Sequence, residues 1–313
     1  MTWQGELSAK KGEMLIMSTN QSQGAGRALA WQLRTRRLTF GRVPLIMGIV
    51  NVTPDSFYDG GKYLDVQAAV DHALRLEAEG ADILDIGGES TRPYATPVPV
   101  DEELRRVIPV VKQLVDKVRV PLSIDTYKAK VAEEALAAGA EIVNDVTALR
   151  GDPRMLAVVV ETGAALCLMH MQGSPQTMQV DPRYQDVVAE VLDFLSCCRD
   201  RAVEAGVAPE KIAVDPGIGF GKRLEHNVAL LQNMELFHRL GCPVLVGPSR
   251  KRFIGDLTGA LEADRLPGTI ATVLTLARKG VQIVRVHDVA AVRQALRVFE
   301  ALELAGLSSR GGS

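Results

Sequence analysis

Short apolar runs recur along the chain, and each ends on a polar residue or a glycine. They are residues 45–50, Ile83–Gly87, Leu122–Asp125, Ile142–Asp145, Ala165–Met169, Ile212–Asp215, 244–247 and Ile283–Val286. These eight runs are β-branched and apolar with no clean alternation. That is the pattern of strands covered on both faces, as in a parallel sheet. Between them the spacing of apolar positions changes to i, i+3, i+4, which predicts helices over 66–79, 99–118, 128–138, 153–161, 184–205, 225–240, 269–278 and 289–304. Most of these end just before a glycine, such as Gly80, Gly139, Gly206 or Gly241, where the chain can turn back into the next strand.

Eight strands alternating with eight helices predict an α/β fold, a single (β/α)8 TIM barrel. The rival is an open doubly wound sheet, but no G-x-G-x-x-G follows the first strand. Residues 33–40, with alternating arginines, predict a hairpin that closes the bottom of the barrel. Residues 1–30 and 307–313 read as a flexible N-terminal extension and a flexible tail, leaving 31–306 as the catalytic domain.

Composition narrows the function. The chain has 313 residues, 47% hydrophobic and 24% charged, which excludes a disordered chain. A net charge of -2 and only 4% aromatic residues argue against nucleic acid as a partner. No run of about 18 apolar residues predicts a membrane span. Cys167, Cys197, Cys198 and Cys242 form no C-x-x-C pair, so zinc is not expected and reduced thiols in a cytoplasmic protein are. The 28 glycines are a mild excess, explained in part by the helix stops.

Ligands of such barrels sit at the C-terminal ends of the strands. There the sequence places Asn51, Gly87 to Arg92, Asp125, Asn144, Met169, Asp215, Gly247 to Lys251, and Arg285 with His287. The loops after strands 1, 2, 7 and 8 combine glycines, hydroxyls and cations, a composition suited to phosphate. Asp125, Asn144 and Asp215 suit a heterocycle rich in N–H donors. The pattern predicts a two-part ligand, a donor-rich ring joined to a phosphate. Arg285 inside an apolar strand is hard to explain structurally, and His287 shares its strand face. His170 has the opposite parity to Met169 and reads as structural. The glycines Gly217, Gly219 and Gly221 are a weak nucleotide fingerprint, because they follow the sixth strand.

These segments resemble the dihydropteroate synthase family. The resemblance rests on Met47 to Phe57, Asp82 to Pro93, Ser123-Ile124-Asp125, Asn144-Asp145-Val146, Met169-His170-Met171, Asp215 to Lys222, Ser249-Arg250-Lys251 and Arg285 to Val289, and it covers about residues 45–304. It implies condensation of 6-hydroxymethyl-7,8-dihydropterin pyrophosphate with 4-aminobenzoate, with Mg²⁺ as cofactor, sulfonamides as competitors and a homodimer in the cytoplasm. It implies that Asp125, Asp215, Lys251 and Arg285 are catalytic. Asp125, Asn144, Val146, Met169, Asp215, Phe220, Gly247, Lys251 and Arg285 would line the pterin pocket. Asn51, Thr91, Arg92, Arg285 and His287 would meet the pyrophosphate, with Asn51 also at the metal. Phe57, Pro93, Ser249 and Lys251 would form the aminobenzoate pocket. Ala148 departs from a position where the family often has glycine. Leu296, Val298 and Leu302 are apolar candidates for the dimer face. The rival readings are a methyltetrahydrofolate-dependent methyltransferase barrel and a pterin-binding paralogue without turnover.

Overall fold

The structure is a computed structural model that describes residues 26–52, 62–90 and 96–308. Eight parallel strands follow the predicted runs: β3 (Leu45–Asn51), β4 (Ile83–Gly87), β5 (Leu122–Asp125), β6 (Ile142–Asp145), β7 (Ala165–Met169), β8 (Ile212–Asp215), β9 (Leu245–Val246) and β10 (Ile283–Val286). They pair in the order β8-β7-β6-β5-β4-β3-β10-β9. A parallel bridge between Val214 and Val244 joins the two ends, so the sheet closes into a barrel.

Parity along each strand separates the two faces. Leu84, Ile86, Ile124, Val143, Leu168, Val214 and Val284 pack outward with the helices in one apolar cluster. Met47, Ile83, Ile142, Ala165, Ala213, Leu245 and Ile283 face inward in a second cluster. By the same parity Asp85, Ser123, Asp125, Asn144, Met169, Asp215 and Arg285 also point inward, above that apolar floor. The barrel interior therefore grades from apolar at the bottom to polar at the top.

The bottom is closed by an antiparallel hairpin of β1 (Ala30–Gln32) and β2 (Arg37–Thr39). It starts slightly earlier than the alternating arginines suggest. Trp31 and Leu33 are fully buried against the inward floor, and the Trp31 indole donates to the Lys211 carbonyl at 2.9 Å. The chain is already tied down before the hairpin. Arg27 donates to the Gly280 carbonyl, and Gln282 donates to the Ala28 carbonyl. Residues 1–25 and 309–313, which hold most of the expected extension and tail, lie outside the described residues.

Three expectations about helices are corrected. The helix expected over 225–240 is two pieces, Leu224–Gln232 and the 3₁₀ turns of Met234–Leu240. Asn233 breaks it by turning its amide back onto the Ala229 carbonyl at 2.9 Å, a local bond that competes with helix continuation. A short helix, Arg252–Thr258, stands in the loop after β9, where none was expected. In the helix Val289–Ser308, Leu296 is fully buried with Val289 and Val292, whereas Val298 and Leu302 are exposed. Leu296 belongs to the core face, so it cannot serve a dimer surface.

Candidate active site at the mouth of the barrel

Arg285 is the centre of the site. Its Nε donates to Asp85 Oδ2 at 2.6 Å and its Nη2 to Asp125 Oδ2 at 2.7 Å. Asn144 Nδ2 donates to the same Asp85 oxygen at 3.0 Å. Burial opposes the guanidinium charge, but Asp85 and Asp125 outweigh it and hold Arg285 more firmly protonated than usual. Asp125 is pushed up to about 7, chiefly by burial, against the pull of Arg285 and with repulsion from Asp85. Asp85 stands inside an apolar strand run, so the sequence pattern alone assigns it no role in the site. The available signal was a carboxylate at an inward position of a strand covered on both faces, where an unpaired charge is rare.

Asp215 closes the opposite side of the mouth. Its Oδ1 accepts the Gly217 N–H at 2.7 Å, and burial pushes its carboxyl up to about 6. Gly217 takes φ +69°, and a Cβ there would lie 1.9 Å from the His170 carbonyl oxygen. The glycines after β8 are thus turn and close-contact residues. Val146 and Met169 form an apolar cluster with Met171 and Met178, against which Phe220 and Tyr127 pack. Lys251 places its Nζ 3.9 Å from the Phe220 ring centroid. Gly247 lies beside Arg285, where an added Cβ would meet Arg285 Cβ at 3.8 Å.

At the end of β10, His287 shares a hydrogen bond with Ser249, Nδ1 to Oγ at 3.0 Å. Burial, with Arg285 and Arg250 nearby, pushes the imidazole down to about 3, so it is neutral in the free protein. Arg250 does not contribute a loose cation for an anion. It forms a two-point pair with Asp288, Nε to Oδ2 at 3.0 Å and Nη2 to Oδ1 at 2.5 Å. Arg252 is exposed and faces Asp256 at 3.4 Å. Asn51 stands at the end of β3, paired in register with Gly87. Phe57, Thr91, Arg92 and Pro93 lie outside the described residues.

His170 has the structural place its parity predicts. It is buried, packs edge-on against the Phe194 ring at 4.8 Å, and faces Lys222. Ala148 adopts φ +51°. That left-handed conformation explains why glycine suits the position. The turn is held by Asp145, whose carboxylate accepts the N–H groups of Thr147 and Leu149, both at 2.8 Å.

The model of the pterin binding enzyme family matches residues 47–287. The chain belongs to the dihydropteroate synthase family. A dihydropteroate synthase of Neisseria meningitidis serogroup B is 51% identical over 267 residues, covering 83% of this chain and 93% of that one. The Xanthomonas albilineans synthase solved with 4-aminobenzoic acid superposes with a TM-score of 0.83 at 50% identity, over 88% of this chain and 98% of that one. The same organism's enzyme in complex with 7,8-dihydropteroate gives a TM-score of 0.80 at 48% identity, again over 88% and 98%. Membership makes the protein a transferase of the synthase type, in preference to a methyltransferase barrel.

Proposed function

We propose that the protein joins 6-hydroxymethyl-7,8-dihydropterin pyrophosphate to 4-aminobenzoate, giving 7,8-dihydropteroate and pyrophosphate. The observation that carries this reading is the convergence of Asp125, Asn144 and Asp215 with Arg285 inside one barrel mouth. The carboxylates accept the amino and ring N–H groups of the pterin. An analogue without those donors leaves buried carboxylates unpaired and is rejected. Val146, Met169 and Phe220 supply the apolar walls, and Gly247 keeps the floor beside Arg285 low. Lys251, held over Phe220, reaches both the pterin and the aminobenzoate, with Ser249 beside it. Phe57 and Pro93 complete the aminobenzoate side, and Thr91 and Arg92 the pyrophosphate side.

The reaction needs no protein nucleophile. The bond between the pterin methylene carbon and the pyrophosphate oxygen breaks, and its electron pair leaves with pyrophosphate. The resulting cation is delocalised into the dihydropterin ring, where Asp125 and Asp215 stabilise it. The aniline nitrogen then forms the new C–N bond and gives its surplus proton to a phosphate oxygen or water. Arg285 stabilises the departing charge. His287, neutral in the free protein, donates a hydrogen bond to it.

A Mg²⁺ ion fits this donor set in one form. Among the described residues no three carboxylate, histidine or cysteine side chains gather to hold a metal. Asn51 is a single neutral oxygen donor. That suits an ion held mainly by substrate phosphate oxygens and water, as Mg²⁺ commonly is. Asn51 would hold it, and when bound it would neutralise charge on the leaving pyrophosphate.

The test is pyrophosphate release measured with both substrates and Mg²⁺. Release that depends on 4-aminobenzoate, and that a sulfonamide inhibits competitively with it, supports the reading. No release ends it.

A homodimer is supported by the apolar groove that Ile270 and Leu274 form with Ala291, Ala295, Val298, Phe299 and Leu302. The Val298→Glu variant should sediment as a monomer where the wild type sediments as a dimer. A monomeric wild type at micromolar concentration would remove the proposal. A cytoplasmic location suits Cys167, Cys197, Cys198 and Cys242, none of which forms a disulfide. Among the described residues no helix is long and apolar enough to cross a membrane.

A further inference from the structure

We infer that Asp85 is a positioning residue that sets the pterin specificity of the site without touching the pterin. Asp85 is fully buried on β4, one inward position below Gly87. A single oxygen, Oδ2, receives both Arg285 Nε at 2.6 Å and Asn144 Nδ2 at 3.0 Å. Its other oxygen, Oδ1, is buried with no hydrogen-bond partner. Deep burial of such a group is costly, so its retention calls for a role exerted through its two neighbours.

The chemistry of the pair dictates that role. An ionised carboxylate can only accept hydrogen bonds. The atom of the Asn144 amide that faces Asp85 must therefore be Nδ2. Asn144 is then locked with Oδ1 as the atom left for a ligand, and it reads an N–H donor on the ring. Without the carboxylate, the amide could turn over and present a donor to a donor, which repels the substrate. The same oxygen fixes Arg285 at Nε. This leaves Nη2 on Asp125 and fixes the plane of the guanidinium across the barrel. Asp85 thus sets the polarity of one contact and the orientation of another. Asn144 is where it selects the ring.

This inference rests on the proposed pterin reaction, and the experiment separates the two. Steady-state kinetics are measured for the wild type, Asp85→Asn, Asp85→Ala, Asn144→Ala and the Asp85→Ala/Asn144→Ala double variant. If the wild type releases no pyrophosphate, the proposed reaction fails and not the role of Asp85. With an active wild type, Asp85→Ala should raise KM for the pterin pyrophosphate tenfold or more. KM for 4-aminobenzoate should stay within twofold. Asp85→Asn keeps an oxygen acceptor and should recover part of the loss. The double variant should be no worse than the poorer single variant, because the ring contact made by Asn144 is already lost once Asp85 is removed. The inference is overturned if Asp85→Ala changes the pterin KM by less than twofold, if both KM values rise together, or if the two alanine effects multiply. Should Asp85→Ala not fold, Asp85→Asn decides alone. A pterin KM raised at least threefold with unchanged aminobenzoate KM supports the role, and any other pattern overturns it.

Discussion

Lys222 Nζ lies 2.9 Å from His170 Nδ1, with both side chains buried at the junction between β7 and the loop after β8. The ammonium also donates to the Phe220 carbonyl at 2.9 Å. It is the donor of the pair, because burial and Lys222 itself hold His170 well below its usual range and leave the imidazole nitrogen as an acceptor.

Burial pushes Lys222 down to about 7, with Asp215 opposing and Lys251 reinforcing the shift. A lysine whose folded value lies below its unfolded one costs stability in full at and below the folded value. That cost is relieved as pH rises toward the unfolded value. Urea unfolding should therefore show the wild type gaining roughly 2–4 kcal/mol relative to Lys222→Met between pH 7 and 10. A difference that stays flat with pH would show that the ammonium is not desolvated.

Asp215 has the opposite sign. Its folded value, about 6, is raised by burial, so ionisation destabilises the fold above the unfolded carboxylate range. Asp215→Asn keeps an oxygen for the Gly217 N–H and removes the charge. The variant should lose nearly all turnover yet be about 2–3 kcal/mol more stable at pH 7.5, with the advantage gone near pH 4. Equal stabilisation at both pH values would contradict the assignment.

The pH dependence of kcat/KM for the pterin substrate follows from Asp125 and Asp215. Both must be ionised to accept the ring donors, so the rate should fall as pH drops through about 7 to 6. The two carboxylates titrate at different values, so the limb is broad and spans both. His287, near 3, adds no inflection in that range. His287→Gln should lower the rate while leaving the profile in place. A limb that disappears in this variant would mean that the imidazole is the titrating group.

Gly217→Ala introduces a Cβ at a left-handed φ and against the His170 backbone carbonyl, where no side chain can yield. The cost should be about 3 kcal/mol or more, a left-handed residue alone accounting for about 1–2. Because Gly217 also donates to Asp215, the pterin KM should rise alongside the fall in melting temperature. Calorimetry and kinetics on the same sample check both.

The barrel was legible because its strands are near-continuous apolar runs and its helices stop at glycines. Both are local signals. What was not legible depended on contacts. Asn233 breaks a helix through a side-chain bond that periodicity does not reveal. Arg250 reads as an anion ligand in a basic string, and only the fold shows it spent on Asp288, 38 residues away. Asp85 was hidden by a hydrophobic context that, at the inward parity, should have made it conspicuous. The residues at the strand ends were readable because the barrel topology makes each end a position in one mouth. Asp125, Asn144, Asp215 and Arg285 duly meet there.

Trp31, sealed into the floor of the barrel, shares one apolar cluster with Met47 of β3 and Ile283 of β10. Its environment exists only once β3 and β10 lie side by side. The chain has two tryptophans, and this one is buried at the pole opposite the chemistry. It is therefore a built-in optical gauge of ring closure. Its emission would track assembly and cooperative opening of the cylinder while substrates come and go at the far end.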